Sequence, residues 1–213
     1  MSIKILGGML KGISLNVPDG VRVRPTSVLL KRRVFDAHQK LEGSIFVDIF
    51  AGSGGMGLEA YSRNASAVLL VEVDRSVYAI LKNNVDKCVS SMEKLQGGQQ
   101  FRPDCFCQNF EQWIYQPDIR KYFERLLSVE ALAVSKIVFF IDPPYREHQL
   151  YQKIITILRS DERLSFFQQK QLELWIEADP QVGITDKKIK EWGGEIKKMY
   201  FQASKFVAIT VLR

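Results

Sequence analysis

Four consecutive residues combine an acid, two prolines and an aromatic ring: Asp142, Pro143, Pro144 and Tyr145. The Asp142 carboxylate and the Pro143 carbonyl can accept the two hydrogens of an exocyclic amino group, whose lone pair is otherwise delocalised into its base. Prolines carry no amide hydrogen that would compete for these acceptors, and Tyr145 offers a face on which an extruded base can stack. Asp-Pro-Pro also forms ordinary turns, but here it favours transfer of a group to the amino nitrogen of a nucleic-acid base.

A glycine-rich segment from Asp48 to Gly57 indicates where a second reactant binds. Glycines allow a backbone to approach a ligand closely, but Gly52, Gly54 and Gly57 also satisfy the spacing of a dinucleotide-binding loop. Asp48 favours S-adenosylmethionine over a dinucleotide, because its charge opposes a pyrophosphate and can help to hold the amino-acid part of the methyl donor. A glycine turn without any ligand is the remaining alternative.

Polar residues after the next two apolar runs extend this prediction. Glu72 lies about 20 residues beyond the glycines, where an acid can accept hydrogen bonds from the ribose hydroxyls of either cofactor. Asn109 and Phe110 follow the third run. Folds that bind a nucleoside cofactor usually contact its adenine at this place, through an amide and through packing. This last signal is weak when it is taken alone.

Most of these residues follow apolar segments of strand length, which alternate with helix-like segments. The predicted strands cover residues 45–50, 67–73, 104–108, 136–141, 171–178 and 206–212. The predicted helices cover 56–61 and 76–88 and lie within 111–135 and 147–167. Such alternation is typical of a doubly wound, mostly parallel α/β sheet, which binds its ligands at the carboxyl ends of the strands. We therefore expect Asp142 to face the glycine loop across that edge.

The excess positive charge lies near the beginning of the chain. Residues 1–40 contain eight Lys and Arg against two Asp, so their difference equals the +6 of the whole chain. Basic density of this kind is expected of a surface that binds nucleic-acid phosphates, although a solvated helix face gives the same pattern. Short apolar runs around Gly7 and Gly8 predict a β-hairpin. We accordingly divide the chain into a basic, RNA-binding arm and helix, 1–40, and a catalytic domain, 41–213.

Length and composition limit the class of protein. With 213 residues and 46% hydrophobic content, the chain suits one substantial globular domain. It contains no run of about 20 apolar residues that would span a bilayer, so we expect a cytoplasmic protein without membrane contact. Three cysteines and two histidines distant from them indicate neither a disulfide framework nor a zinc site, and we expect reduced thiols and no metal.

The motifs resemble those of a known family, the bacterial 16S ribosomal RNA guanine-N(2) methyltransferases of the RsmD type. The resemblance covers nearly the whole chain and is carried by Ile3-x-Ile5-x-Gly7-Gly8-x-x-Lys11-Gly12, Arg24-Pro25-Thr26, the segment from Asp48 to Ala60, Glu72-x-Asp74-Arg75 and the tetrapeptide at 142–145. It implies a seven-stranded, Rossmann-like class I methyltransferase sheet with an N-terminal hairpin arm. It also implies S-adenosylmethionine as cofactor and, as substrate, the N2 amino group of one guanine in 16S rRNA or in the assembling small ribosomal subunit. One departure is Arg32, which stands where the family has glutamate.

The residues and the resemblance together give three predicted sets. The catalytic set is Asp142, Pro143, Pro144 and Tyr145. The cofactor-binding set is Asp48, Phe50, Gly52, Ser53, Gly54, Gly57, Glu72, Asp74, Asn109 and Phe110. The substrate-binding set is Lys11, Arg22, Arg24, Pro25, Thr26 and Arg33.

Three other functions stay open at this point. A DNA adenine-N6 methyltransferase shares Asp-Pro-Pro-Tyr, but the chain has no evident target-recognition domain. A protein-glutamine methyltransferase tends to carry Asn in place of Asp142. A catalytically silent RNA-binding assembly factor would be expected to lose Asp142, Tyr145 and the glycines. We take a monomer as the default expectation.

Overall fold

The computed structural model describes residues 2–19, 25–98, 101–130, 133–143 and 148–211. Its strands are β1 (Ser2–Lys4), β2 (Ser14–Asn16), β3 (Ser44–Asp48), β4 (Ala67–Val71), β5 (Asp104–Phe106), β6 (Lys136–Ile141), β7 (Gln171–Ala178), β8 (Glu195–Gln202) and β9 (Lys205–Val211). Its α-helices are α1 (Pro25–Ala37), α2 (Gly57–Ser62), α3 (Arg75–Gln96), α4 (Phe110–Ile114), α5 (Pro117–Ser128), α6 (His148–Ser160) and α7 (Asp186–Glu191). Among the described residues, 3₁₀ helices cover Glu162–Gln169 and Pro180–Val182. Within these described ranges, no helix is long and apolar enough to cross a bilayer.

Seven strands form one sheet in the order β5-β4-β3-β6-β7-β9-β8. The first five strands of this order are parallel, whereas β9 runs antiparallel to both β7 and β8. The predicted doubly wound, mostly parallel, seven-stranded sheet is confirmed. Insertion of β9 between β7 and β8 departs from the simple 3-2-1-4-5-6 order of dinucleotide-binding sheets. The strand order reverses between β3 and β6, which is where such sheets open a crevice for a ligand.

Both faces of the sheet are covered by apolar side chains. On one face Phe139 of β6 packs in a cluster with Phe123 of α5. On the other face Phe140 packs in a cluster with Phe35 of α1. Adjacent residues of β6 point to opposite faces, which explains why the strand is a continuous apolar run. Burying each such side chain contributes about 1.5–3 kcal/mol relative to exposure.

The predicted N-terminal hairpin is confirmed and packs on the second of these clusters. β1 pairs antiparallel with β2, with Ile3 opposite Leu15. Ile5, Leu10 and Leu15 are buried in the same cluster as the helices of that face. The basic segment at the start of the chain is therefore anchored to the sheet by a shared core.

Several regions differ from the sequence-based expectation. Helix α3 runs to Gln96 rather than to 88, and α7 was not predicted. β8 was not predicted, because the exposed Lys197 and Lys198 interrupt its apolar pattern. Among the described strands it pairs with β9 alone and so forms the edge of the sheet. The helical stretch expected within 111–135 forms two helices, because Pro117 cannot continue α4 and instead opens α5.

Candidate active site

Two adjoining cavities lie at the carboxyl ends of the parallel strands. The first, of about 460 Å³, is bounded by the ends of β4 and β5 and by α6. The second, of about 610 Å³, is bounded by the glycine loop, the hairpin and α1. Phe50, Glu72 and Asp142 line both cavities, so the two spaces meet at these residues. The structure thus brings Asp142 and the glycine loop together, as the alternation of strands and helices predicts.

The glycine loop has one glycine open to the ligand space and one that closes a helix onto the sheet. Gly52 has φ of +53°, and a Cβ there would meet no atom within 4 Å. A Cβ on Gly57 would lie 2.1 Å from Leu70 Cδ2, so the missing side chain allows α2 to approach β4. Gly52 lines the second cavity together with Ser53, whereas Gly54 and Gly57 line neither cavity. Direct cofactor contact by Gly54 and Gly57 stays a prediction.

Asp48 is a buried carboxylate with unused acceptor capacity. Its Oδ2 accepts a hydrogen bond from the Gly57 amide at 3.2 Å, whereas its Oδ1 has no partner within the described part of the chain. The residue is 1% exposed yet lines the second cavity. Burial raises the pKa of Asp48 to about 7, against the Gly57 amide that lowers it. A ligand with a positively charged donor, such as an amino-acid ammonium, fits this oxygen.

Glu72 is held rigidly where the cavities meet. Its Oε2 accepts from the Gly52 amide and its Oε1 from the Asp74 amide, both at 2.8 Å. A carboxylate has further lone pairs after these two bonds, so ribose hydroxyls can still donate to it. Asp74 itself accepts from the Ser76 and Val77 amides as the N-cap of α3 and lines neither cavity. The structure therefore gives Asp74 a capping role, and cofactor contact by it stays a prediction.

The first cavity is lined by several apolar side chains and by a glutamine whose amide oxygen has no partner among the described residues. Phe110 and Leu150 line it, and Asn109 lines it while accepting from the Gln112 amide as the N-cap of α4. Gln108 also lines it, and its buried Oε1 has no partner among the residues that the structure describes. A cavity that combines apolar side chains with an amide oxygen able to accept a hydrogen bond suits the adenine ring and its amino group.

Asp142 is placed directly after β6, with Pro143 next to it. Asp142 is half-buried and Pro143 is buried, and both line the first cavity. Burial raises the pKa of Asp142 to about 6, against the nearby positive charge of Lys205. With this pKa the Asp142 carboxylate is mostly ionised at neutral pH and can accept a hydrogen bond. Pro144 and Tyr145 lie outside the described residues.

Sequence reasoning missed many of the residues that line these cavities, and three polar ones stand out. Gln108 ends the third strand segment, immediately before the predicted Asn109. Lys31 lines the second cavity, donates to the Gly55 carbonyl at 2.7 Å and pairs with Glu59 at 3.0 Å. Glu177, at the end of β7, lines the second cavity as well. Each had a usable signal: a polar residue at a strand end, or a lysine three residues after Val28 on the apolar face of a helix.

The predicted substrate-binding residues that the structure describes lie on the hairpin turn and on α1, and none of them lines either cavity. Lys11 is exposed in the turn of the hairpin, and exposed Arg33 of α1 donates to the Phe201 carbonyl. Pro25 and Thr26 form the first turn of α1. Arg22 and Arg24 fall outside the described ranges. Neither Lys11 nor Arg33 lines either of these cavities, so any contact that they make with RNA lies outside the cavities.

Comparisons with known proteins agree with this arrangement. The family model described as conserved hypothetical protein 95 matches residues 3–112. "Putative rRNA methyltransferase YlbH" of Bacillus subtilis is 28% identical over 158 residues, 73% of each chain. Ribosomal RNA small subunit methyltransferase D of Escherichia coli K12 is 39% identical over 84 residues, which are 39% of this chain and 42% of that protein. The solved structure of "Putative methyltransferase yhhF" from Escherichia coli shares the fold with a TM-score of 0.67 at 20% identity, covering 100% of this chain and 99% of that one.

Proposed function

The chain belongs to the family described as conserved hypothetical protein 95, the RsmD-type methyltransferases, and from this premise we propose that it methylates the N2 amino group of a specific guanine in 16S rRNA, with S-adenosylmethionine as the methyl donor. The observation that carries the proposal is the position of Asp142, which lines both the cavity next to β4 and β5 and the cavity beside the basic arm. A carboxylate at this junction can reach a substrate held on one side and a cofactor that extends into the other.

The residues of the two cavities fit the methyl donor. Glu72 suits its ribose, and the Gln108 amide oxygen with Phe110 suits its adenine. Asp48 Oδ1, which has no partner among the described residues, suits its ammonium. When bound, S-adenosylmethionine supplies an activated methyl group on a sulfonium, which leaves as a neutral thioether. The open space beside Gly52 allows the cofactor to lie close to the backbone.

Asp142 acts on the amino group that receives the methyl. Its carboxylate accepts one amino hydrogen, which withdraws the nitrogen lone pair from the base and makes it available for attack. As the new carbon–nitrogen bond forms, one proton must leave the nitrogen, and Asp142 or water accepts it. Because the pKa of Asp142 is raised to about 6 by burial, methyl transfer is expected to weaken as the pH falls below that value.

The basic arm suits the RNA. Lys11 of the hairpin and Arg33 of α1 lie on elements that border the second cavity. We propose that they bind phosphates of free rRNA or of an assembling small subunit and that the enzyme acts as a cytoplasmic monomer. Replacing both by Glu should weaken RNA binding and reduce the slope of log affinity against log salt by about 0.7–0.9 per lost phosphate contact. The matched control is Glu at Lys187 and Lys190, because these lysines lie on α7, no residue of which lines either cavity.

The deciding experiment is transfer of labelled methyl groups to small ribosomal subunits, naked 16S rRNA and DNA side by side. We expect label in a guanine of the RNA. Asp142→Asn, which keeps the shape of the side chain, should lower kcat about 10²–10³-fold while changing affinity for S-adenosylhomocysteine by only about 2-fold. Label in DNA alone would contradict the proposal. RNA binding without any label would favour the silent assembly factor.

A further inference from the structure

A second carboxylate stands beside Asp142 at the same edge of the sheet. β6 and β7 are parallel, and Ile141 of β6 lies opposite Ile176 of β7. Asp142 directly follows β6 and Glu177 is the next residue of β7, one before its last, so the two acids lie side by side at the carboxyl edge of the sheet. Both line the second cavity, and so does buried Asp48.

Glu177 is held in place from two sides. Its Oε1 accepts from the Lys205 ammonium at 2.8 Å, and both side chains are nearly buried. Its backbone carbonyl accepts from the Tyr151 hydroxyl at 2.9 Å. A carboxylate offers about four acceptor positions, so the bond to Lys205 leaves room for a ligand donor. The position of the carboxylate is therefore set before any substrate arrives.

The charge around Glu177 favours a ligand that brings hydrogen-bond donors. Burial, followed by the charges of Asp142 and Asp179, raises the pKa of Glu177 well above its usual range. Lys205 is the cation paired with this carboxylate. Two adjacent carboxylates facing one cavity repel each other unless donors are placed between or in front of them. A base edge with two neighbouring N–H groups would relieve that repulsion.

On the basis of the proposed function, we propose that Glu177 selects guanine by accepting its N1–H while Asp142 accepts a hydrogen of the neighbouring N2 amino group. Guanine presents these two donors next to each other on its Watson–Crick edge. Adenine has a lone pair at N1, which would face a carboxylate. A site built to accept a donor rejects analogues that lack it far more strongly than an apolar pocket rejects a change of size. Glu177 is thus a specificity-determining residue, whereas Asp142 serves the reaction itself.

The test begins by locating the guanine that wild-type enzyme labels in small subunits, through nuclease digestion and mass spectrometry of the RNA. RNA fragments are then made with guanine or 2-aminopurine at that position, since 2-aminopurine keeps the amino group and lacks the N1 hydrogen. Wild-type enzyme should favour guanine in kcat/KM by at least about 10-fold. Glu177→Gln should lower kcat/KM for guanine about 10- to 100-fold and leave that for 2-aminopurine within about 3-fold.

Glu173→Gln is the matched control, because Glu173 lies on the same strand, is also buried and also pairs with a lysine, Lys136, but lines neither cavity. This variant should leave the ratio between guanine and 2-aminopurine unchanged. Binding of S-adenosylhomocysteine reports whether each variant is folded.

Each outcome of this experiment decides a different claim. An unchanged ratio in folded Glu177→Gln would overturn the role of Glu177 while leaving guanine methylation standing. If that variant does not fold, the wild-type ratio decides, and equal use of guanine and 2-aminopurine would overturn the inference. If the wild-type enzyme transfers no label to any RNA, both the proposed function and the inference about Glu177 are overturned.

Discussion

Two buried carboxylates within the same part of the chain have opposite surroundings. Glu59 of α2 is fully buried and accepts from the Leu6 and Gly7 amides at 2.8 Å, while Lys31 and Arg63 pair with it at 3.0 Å. Asp48 is equally buried, but the Gly57 amide is bonded to one of its oxygens and its other oxygen has no partner among the described residues.

The difference separates a structural acid from one prepared for a ligand. A buried charge is costly unless donors and countercharges surround it, and Glu59 has both. Through Leu6 and Gly7 it fastens the hairpin to the sheet domain. Asp48 lacks that compensation and faces a cavity, which is how a site that binds a charged ligand is expected to look. For these two acids, the number of partners therefore separates the one that maintains the fold from the one that can bind a ligand.

The largest expected effect is loss of Glu59. Glu59→Ala would leave Lys31 and Arg63 without their shared acid and two hairpin amides without an acceptor. We expect the free energy of unfolding to fall by about 3–5 kcal/mol, as measured by urea denaturation. Glu93→Ala, at an exposed position of α3, is the control and should change little. A loss below about 1 kcal/mol would mean that Glu59 does not secure the hairpin.

Asn84 of α3 joins the hairpin to the glycine loop and should give the next largest effect. Its amide nitrogen donates to the Ser53 carbonyl at 2.8 Å and to the Asn16 carbonyl at 2.9 Å, and its oxygen accepts from the Asn16 amide at 2.8 Å. Asn84→Ala should lower the free energy of unfolding by about 2–3 kcal/mol and weaken cofactor binding, because the loop loses its support. Neighbouring Asn83 is exposed, so Asn83→Ala should match wild type in both measurements.

Asp48 should make the stability of the ligand-free protein depend on pH. Since burial raises its folded pKa to about 7 from 3.8, the folded state keeps a proton that the unfolded state has lost between these values. Stability should therefore fall as the pH rises through this window. In Asp48→Asn this contribution is absent, so the free energy of unfolding should fall less steeply with rising pH, by about 1.4 kcal/mol per pH unit. Urea denaturation at several pH values between 4 and 7 measures the difference. An identical slope in the variant would mean that Asp48 is already ionised in the folded protein.

An exposed ion pair supplies the lower end of the comparison. Lys187 and Glu191 are one helical turn apart on α7, 3.9 Å from each other, with 85% and 57% of their side chains exposed. Lys187→Ala should change the free energy of unfolding by less than about 0.5 kcal/mol, because water already solvates both charges. Thermal denaturation of this variant beside Glu59→Ala measures the contrast directly. If Lys187→Ala lowered the free energy of unfolding almost as much as Glu59→Ala, burial would not explain why the two ion pairs differ.

The reach of sequence-based prediction varied with the element. β6 and β7 have the predicted bounds, because strands buried on both faces are continuous apolar runs. β8 escaped prediction since its exposed lysines interrupt that pattern, and its place at the edge of the sheet is settled only by pairing with β9. Asp48, Glu72 and Asp142 could be predicted as site residues because each lies at or directly after the end of a strand. Contacts of Pro144, Tyr145, Arg22 and Arg24 stay predictions.

The amino-acid sequence by itself determined the chemistry, through the acid and prolines at 142–144 and the glycines beside Asp48. Tertiary structure alone decided which further residues join them. Glu177 lies 35 positions after Asp142 and meets it only because the register of β6 and β7 makes them neighbours. Lys31 enters the second cavity only because α1 packs over the glycine loop. The type of a residue specifies which chemistry its side chain can perform. Packing and strand register specify which other side chains lie beside it.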